Sequence, residues 1–147
     1  KITSLLTFLL ASAVFALGAQ HENATIEITA NDTMQYSAKV FEVKAGQEIT
    51  LVLKNVGNLP KVAMGHNVVI LKPGSDIPKF GMASIAAAAS EYIPQDDVNK
   101  GLIIAKTKLL GPGEEDTITF TLEVGTYPFL CSFPGHFALM QGTITAK

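Results

Sequence analysis

Apolar and polar residues alternate with a two-residue period through much of this 147-residue chain. That spacing turns one face of a β-strand toward a core and the other toward water. Over residues 48–54, Ile49, Leu51 and Leu53 share a face, and residues 25–29 alternate in the same way. Residues 40–44, followed by Ala45, Gly46 and Gln47, provide a hairpin-like entry to the 48–54 strand. Further strands are predicted over residues 66–72, 102–107, 116–123, 126–131 and 141–146. About eight short strands separated by turn residues predict an all-β fold, an antiparallel Greek-key sandwich or barrel.

Residues 82–92 break the alternation, because Ala83 and the run Ala86, Ala87, Ala88, Ala89 favour helix over strand. Pro78 before and Pro94 after would bound this short helix. It is expected on an insertion over residues 73–101 that passes outside the barrel. The first residues are also distinct: Lys1, then a largely apolar run over 5–17, then the small residues Gly18 and Ala19. A basic start, an apolar stretch short for a bilayer and a small-residue end predict a secretory signal peptide over residues 1–19, cut after Gly18 or Ala19. An uncleaved N-terminal anchor is the alternative. Residues 20–147 then suffice for one domain with its own core.

Formal charge is −2 and there is no arginine, so the chain offers neither a basic patch nor bidentate readout of bases and phosphates. Nucleic acid is not expected as a partner. The lone cysteine of an exported chain cannot form an internal disulfide, which leaves a buried thiol, half of an intermolecular bridge, or a metal ligand. Its neighbours favour the last. Cys131, His136 and Met140 bring a thiolate, an imidazole and a thioether into ten residues. With a second imidazole from elsewhere they complete the ligand set of blue-copper sites. Of the three histidines, His21 is near the N-terminus, so His66 is the expected partner. Pro134 and Gly135 stiffen and turn the loop between Cys131 and His136.

Thiolate and thioether suit Cu(I) and imidazoles also suit Cu(II), so this donor set predicts one copper ion cycling between the two states. Too few histidines remain for a second metal centre, which argues for an electron carrier and against a multicopper enzyme. A copper chaperone or storage protein is the alternative reading.

Longer stretches carry a resemblance. Gly57, Asn58, Leu59, Pro60 and Lys61, then Met64, Gly65, His66 and Asn67, then the whole of 131–140, resemble the azurins, which are cupredoxins. Residues 31–35, 81–84 and 107–111 extend the similarity over the chain. This resemblance implies a Greek-key β-sandwich with a helical flap and one type 1 copper. It implies a periplasmic carrier that passes electrons between redox proteins such as c-type cytochromes or a reductase or oxidase. It further implies that the Gly65 carbonyl oxygen is a weak ligand opposite Met140, and that Asn67 braces the loop bearing Cys131. His136 is expected with its ring edge near the surface. Around it the resemblance implies an apolar docking patch of Met34, Leu59, Met64, Phe133, Pro134, Phe137, Ala138 and Leu139. Azurins usually carry a disulfide and a tryptophan, and often a histidine where Asn55 stands; this chain has one cysteine and no tryptophan.

Overall fold

The computed structural model describes residues 23–147; the predicted leader and His21 lie outside them. Alternation is realised as strands with alternate burial. In β1 (Ala24–Asn31) Ile26, Ile28 and Ala30 are buried, and in β4 (Glu48–Asn55) Ile49, Leu51, Leu53 and Asn55. These strands join β2 (Gln35–Tyr36) and β7 (Glu115–Thr121) in a four-stranded sheet of order β2-β1-β4-β7. The second sheet has the order β3-β9-β8-β5-β6, from β3 (Val40–Val43), β5 (Val69–Leu71), β6 (Ile103–Lys106), β8 (Gly125–Leu130) and β9 (Gln141–Ala146). The nine strands among the described residues enclose a shared core that includes Ile28, Leu51, Leu53, Ile70, Phe129 and Ile144. Each such fully buried side chain contributes about 1.5–3 kcal/mol. The two sheets form a β-sandwich.

The expectation of purely antiparallel pairing needs correction. β1 runs parallel to β4, and β3 runs parallel to β9. The cause is topological: after β2 the chain leaves the first sheet, contributes β3 to the second and returns as β4. Parallel neighbours such as β1 and β4 cannot be joined by a tight hairpin and need a long connection of this kind. Strand β2 was not predicted, because two residues carry too little alternation to read.

The helical insertion also differs from expectation. Its main helix, α2 (Ile77–Ile85), begins earlier than predicted and ends before most of the alanine run. Asp76 caps it, its side chain accepting from the Lys79 N–H at 3.0 Å, and Pro78 lies in the first turn instead of outside the helix. Proline suits that position because its missing N–H has no helical partner there. Ala88–Ser90 form only a 3₁₀ turn, followed by left-handed backbone at Glu91 (φ 54°) and Tyr92 (φ 61°). Helix propensity loses here to packing, since Tyr92 sets its ring edge-on to Phe133 at 5.0 Å and Ile93 is buried beneath. A further short helix, α3 (Asp97–Lys100), leads into β6.

The insertion does pass outside the sandwich, and it explains an apolar run. Val68, Val69, Ile70 and Leu71 are all fully buried, because one face of β5 meets the main core and the other meets Phe80, Ile93 and Leu130. Among the described residues no helix is long and apolar enough to cross a membrane.

Gly142, one residue into β9, has room only for a hydrogen: a Cβ there would lie 2.2 Å from the Lys39 carbonyl oxygen and 2.5 Å from Phe129 Cζ. Gly142→Ala is expected to destabilise the fold by ~1–3 kcal/mol, the usual range for overpacking. Urea denaturation measures it, and an unchanged midpoint would show that β3 and β9 can separate freely.

Candidate metal centre

Two segments build the site. The first starts at Pro60, whose carbonyl accepts from Ala63 and Met64 to form the single turn α1 (Lys61–Met64). Gly65 ends that turn; a Cβ on it would sit 2.8 Å from the Lys61 carbonyl oxygen. His66 follows; the strand expected from residue 66 begins only at Val69, and His66 is held ahead of it by a lone backbone pairing with Leu110. That anchor is itself fixed by the buried Asn55 amide, which donates to the Leu110 carbonyl at 3.2 Å. Asn55 thus serves a structural purpose where azurins often have histidine.

The second segment runs from the end of β8 to the start of β9. Gly135 turns it in the left-handed region (φ 81°), and His136–Ala138 form a 3₁₀ turn. Three backbone bonds close the loop on itself: Cys131 N–H to the Met140 carbonyl at 2.9 Å, Met140 N–H to the His136 carbonyl at 2.7 Å, and His136 N–H to the Phe133 carbonyl at 3.0 Å.

These segments bring His66, Cys131 and His136 together, with their donor atoms all within 4.8 Å of one another. Cys131 Sγ lies 3.6 Å from His136 Nδ1 and 4.0 Å from the Gly65 carbonyl oxygen. The two imidazole rings are 5.0 Å apart, centre to centre. All three residues are buried: His66 and Cys131 completely, His136 to 3% exposure. Met140 and Gly65 are buried as well. Asn67 spans to the loop, accepting from the Ser132 N–H and donating to Ser132 Oγ, each at 2.8 Å.

Of the expected patch residues, Leu59 and Leu139 are 44% and 47% exposed, and Ala138 is exposed too. Met34, Met64, Pro134 and Phe137 are half-buried. Phe133 lies beneath the surface, with its ring 4.6 Å from that of His136. The His136 ring is thus nearly enclosed, with the Phe133 ring packed against it.

Sequence reasoning missed two supporting groups. Tyr36, buried on β2, donates its hydroxyl to the Asn67 carbonyl and lies beside the Cys131 sulfur. Burial first, and then Cys131, hold its pKa well above the ordinary phenol value, so it remains a donor. Asp32 accepts from the backbone N–H groups of Asn58 (2.7 Å) and Leu59 (3.3 Å), fastening the Leu59 loop. Neither has a local signal, since each acts on residues far along the chain.

The electrostatics favour uncharged donors without metal. Burial pushes the Cys131 thiol up to about 11, against smaller opposing effects of hydrogen bonds from the Asn67 and Phe133 backbone and from Tyr36. Burial, and then repulsion from His66, lower His136 to about 4. His66 is also lowered by burial, with the Asn31 backbone and the Asp32 carboxylate acting in the opposite direction. Neither His66 ring nitrogen has a hydrogen-bond partner among the described residues. Leaving a buried polar group unsatisfied costs ~1–3 kcal/mol, a cost that metal ligation would remove at the one nitrogen it engages. Two imidazoles and a thiolate around one point fit copper.

A sequence profile for copper-binding proteins of the plastocyanin/azurin family matches residues 22–147. The chain belongs to that family. It is 42% identical over 127 residues to outer membrane protein H.8 of Neisseria gonorrhoeae, covering 84% of this chain and 67% of that protein. It is 42% identical over 142 residues to the azurin of Achromobacter denitrificans, covering 91% and 89%. The crystal structure of dithionite-reduced auracyanin from Roseiflexus castenholzii matches with a TM-score of 0.74 at 41% identity, over 84% of this chain and 97% of that one. Cupredoxins of this family are blue copper electron-transfer proteins and not enzymes, and the cluster of His66, Cys131 and His136 is typical of a single type 1 copper site.

The pKa shifts give the metal-free protein a defined pH profile. Below about pH 6.5 an unfolded chain protonates His136 while the folded one resists down to about 4, so stability falls as pH drops through that interval. Above about pH 9 an unfolded chain ionises Cys131 while the folded one holds its proton to about 11, so stability falls again as pH rises. Denaturation of metal-free protein across pH 4–11 should show both limbs; removal of the alkaline limb in Cys131→Ser assigns it.

Proposed function

We propose that this chain is a periplasmic carrier of single electrons, with His66, Cys131 and His136 as the strong copper ligands, Met140 as the long axial ligand and the Gly65 carbonyl oxygen as a weak fifth contact. Asn67 serves as the brace between the two ligand segments. The observation that carries this reading is the convergence of three buried donors within 4.8 Å. Copper, when bound, supplies a one-electron couple.

The protein supplies a fixed and dry donor set. Backbone bonds within 131–140 and the Asn67–Ser132 pair resist rearrangement when the charge at the site changes. A chaperone or store needs donors open to exchange, and complete burial of His66 and Cys131 favours the carrier. Partners in this reading are redox proteins such as c-type cytochromes or a reductase or oxidase. They dock on the apolar face near His136, where Leu59, Ala138 and Leu139 are exposed and Met34, Met64, Pro134 and Phe137 are half-exposed, with Phe133 beneath. A small apolar surface suits an encounter that must end quickly. Export rests on the leader pattern of residues 1–19, and the relative named an outer membrane protein makes attachment to a membrane the alternative outcome.

Protein recovered from a periplasmic extract, with its N-terminus at Ala19 or Gln20, should bind one equivalent of Cu(II) and turn intensely blue through thiolate-to-copper charge transfer. Cys131→Ser should abolish the colour; a colourless or multi-copper product contradicts the reading. Leu59→Asp should slow electron exchange with a c-type cytochrome about tenfold, equivalent to ~1.4 kcal/mol, at an unchanged visible spectrum. Stopped-flow mixing measures this, and an unchanged rate would put electron entry elsewhere.

A further inference from the structure

We propose that Lys39 is a positioning residue for the copper site: it grips both ends of residues 139–143 and so fixes the backbone that carries Met140. This inference rests on the carrier reading above and concerns a residue outside its ligand set and docking face.

Lys39 lies between β2 and β3, remote in sequence from the ligand loop. Its ammonium donates to the Leu139 carbonyl at 2.9 Å, across 100 residues of chain. Its own carbonyl accepts from the Thr143 N–H at 2.8 Å. Met140 sits between these two anchors. The Gln35 side-chain oxygen accepts a second ammonium hydrogen at 3.0 Å and so aims the lysine head. Gly142 completes the arrangement, since any Cβ there would collide with the Lys39 carbonyl at 2.2 Å. The grip also sets register, because Val40 pairs with Thr143 where β3 meets β9.

An anchor is needed here for a physical reason. A long thioether contact is weak and does little to place Met140, so its position comes from core packing of the side chain and from the backbone that carries it. Inside the loop that backbone is tied to His136 and Cys131, the very residues whose geometry it must match. Lys39 supplies a tie to the rest of the sandwich. A hydrogen bond from a charged donor is roughly twice as strong as a neutral one, which makes an ammonium effective on a carbonyl at the protein surface. Removing it leaves the Leu139 carbonyl to solvent and takes away the side-chain tie at that end, while Gln141 stays paired with Leu130.

The test compares the parent with Lys39→Met, which keeps the stem and loses the donor, and with Lys39→Arg, which restores charge and donors. In metal-free protein, amide exchange followed by NMR at Cys131 and Met140 should accelerate about tenfold in Lys39→Met, as for loss of one such bond, with Leu51 in the opposite sheet unchanged. In copper-loaded protein the charge-transfer spectrum and the reduction potential should both shift. Lys39→Arg should return exchange, spectrum and potential toward the parent. Parent-like exchange in Lys39→Met overturns the proposal, as does faster exchange with spectrum and potential unmoved, or an arginine that restores none of them. Failure of the parent itself to bind copper would strike the carrier reading instead, and the exchange measurement would still decide the grip.

Discussion

Both hydrogen-bonding atoms of the Asn67 side chain are committed to Ser132, at 2.8 Å each, across 65 residues of chain. Asn67 follows His66 and Ser132 follows Cys131, so this pair fixes one ligand segment against the other. The Tyr36 hydroxyl bonds to the Asn67 carbonyl and extends the tie to β2. All of these groups are buried, where loss of one partner would strand the other at a cost of ~1–3 kcal/mol. The site therefore inherits the rigidity of the sandwich. A loop free to drift would have to reorganise each time an electron arrived.

Around that tie, burial sets the chemistry. A thiol held protonated, two imidazoles held neutral and two orphaned ring nitrogens make an uncharged, unsatisfied cavity. A metal ion bound there would take the place of the thiol proton and would ligate one of the His66 nitrogens, which would couple metal affinity to pH. Outside the cavity, Lys61 pairs with Glu91 at 3.5 Å and Glu114 at 3.9 Å, and Glu91 also accepts from the Leu109 N–H at 3.3 Å. Exposed pairs of this kind contribute little energy. Their geometry nevertheless links the insertion, the turn before β7 and the helical turn that delivers His66.

Much of the fold was legible because the sandwich repeats one signal. A period of two marks a strand wherever one face is buried, and β9 was read with its observed ends, residues 141–146. The misreadings have two causes. Parallel pairing of β1 with β4 and the collapse of the alanine run into a 3₁₀ turn depend on contacts between segments distant in sequence, whereas the early start of α2 is local. Pro78 misled because proline stops a helix interior yet suits a first turn, and only the Asp76 cap reveals which applies.

Sequence by itself determined the donor types, the close spacing of Cys131, His136 and Met140, and the shortage of histidines that allows a single metal centre. Those are properties of covalent chemistry and local chain length, and no folding can alter them. Only the tertiary structure decided that His66 reaches the loop through its pairing with Leu110, that Phe133 lies beneath the surface, and that Tyr36, Asp32 and Lys39 act on the site at all. Each of those contacts joins segments separated along the chain, and such separations carry no periodicity or local spacing to read. They are set when two sheets close on a common core, where burial determines which polar groups must find one another.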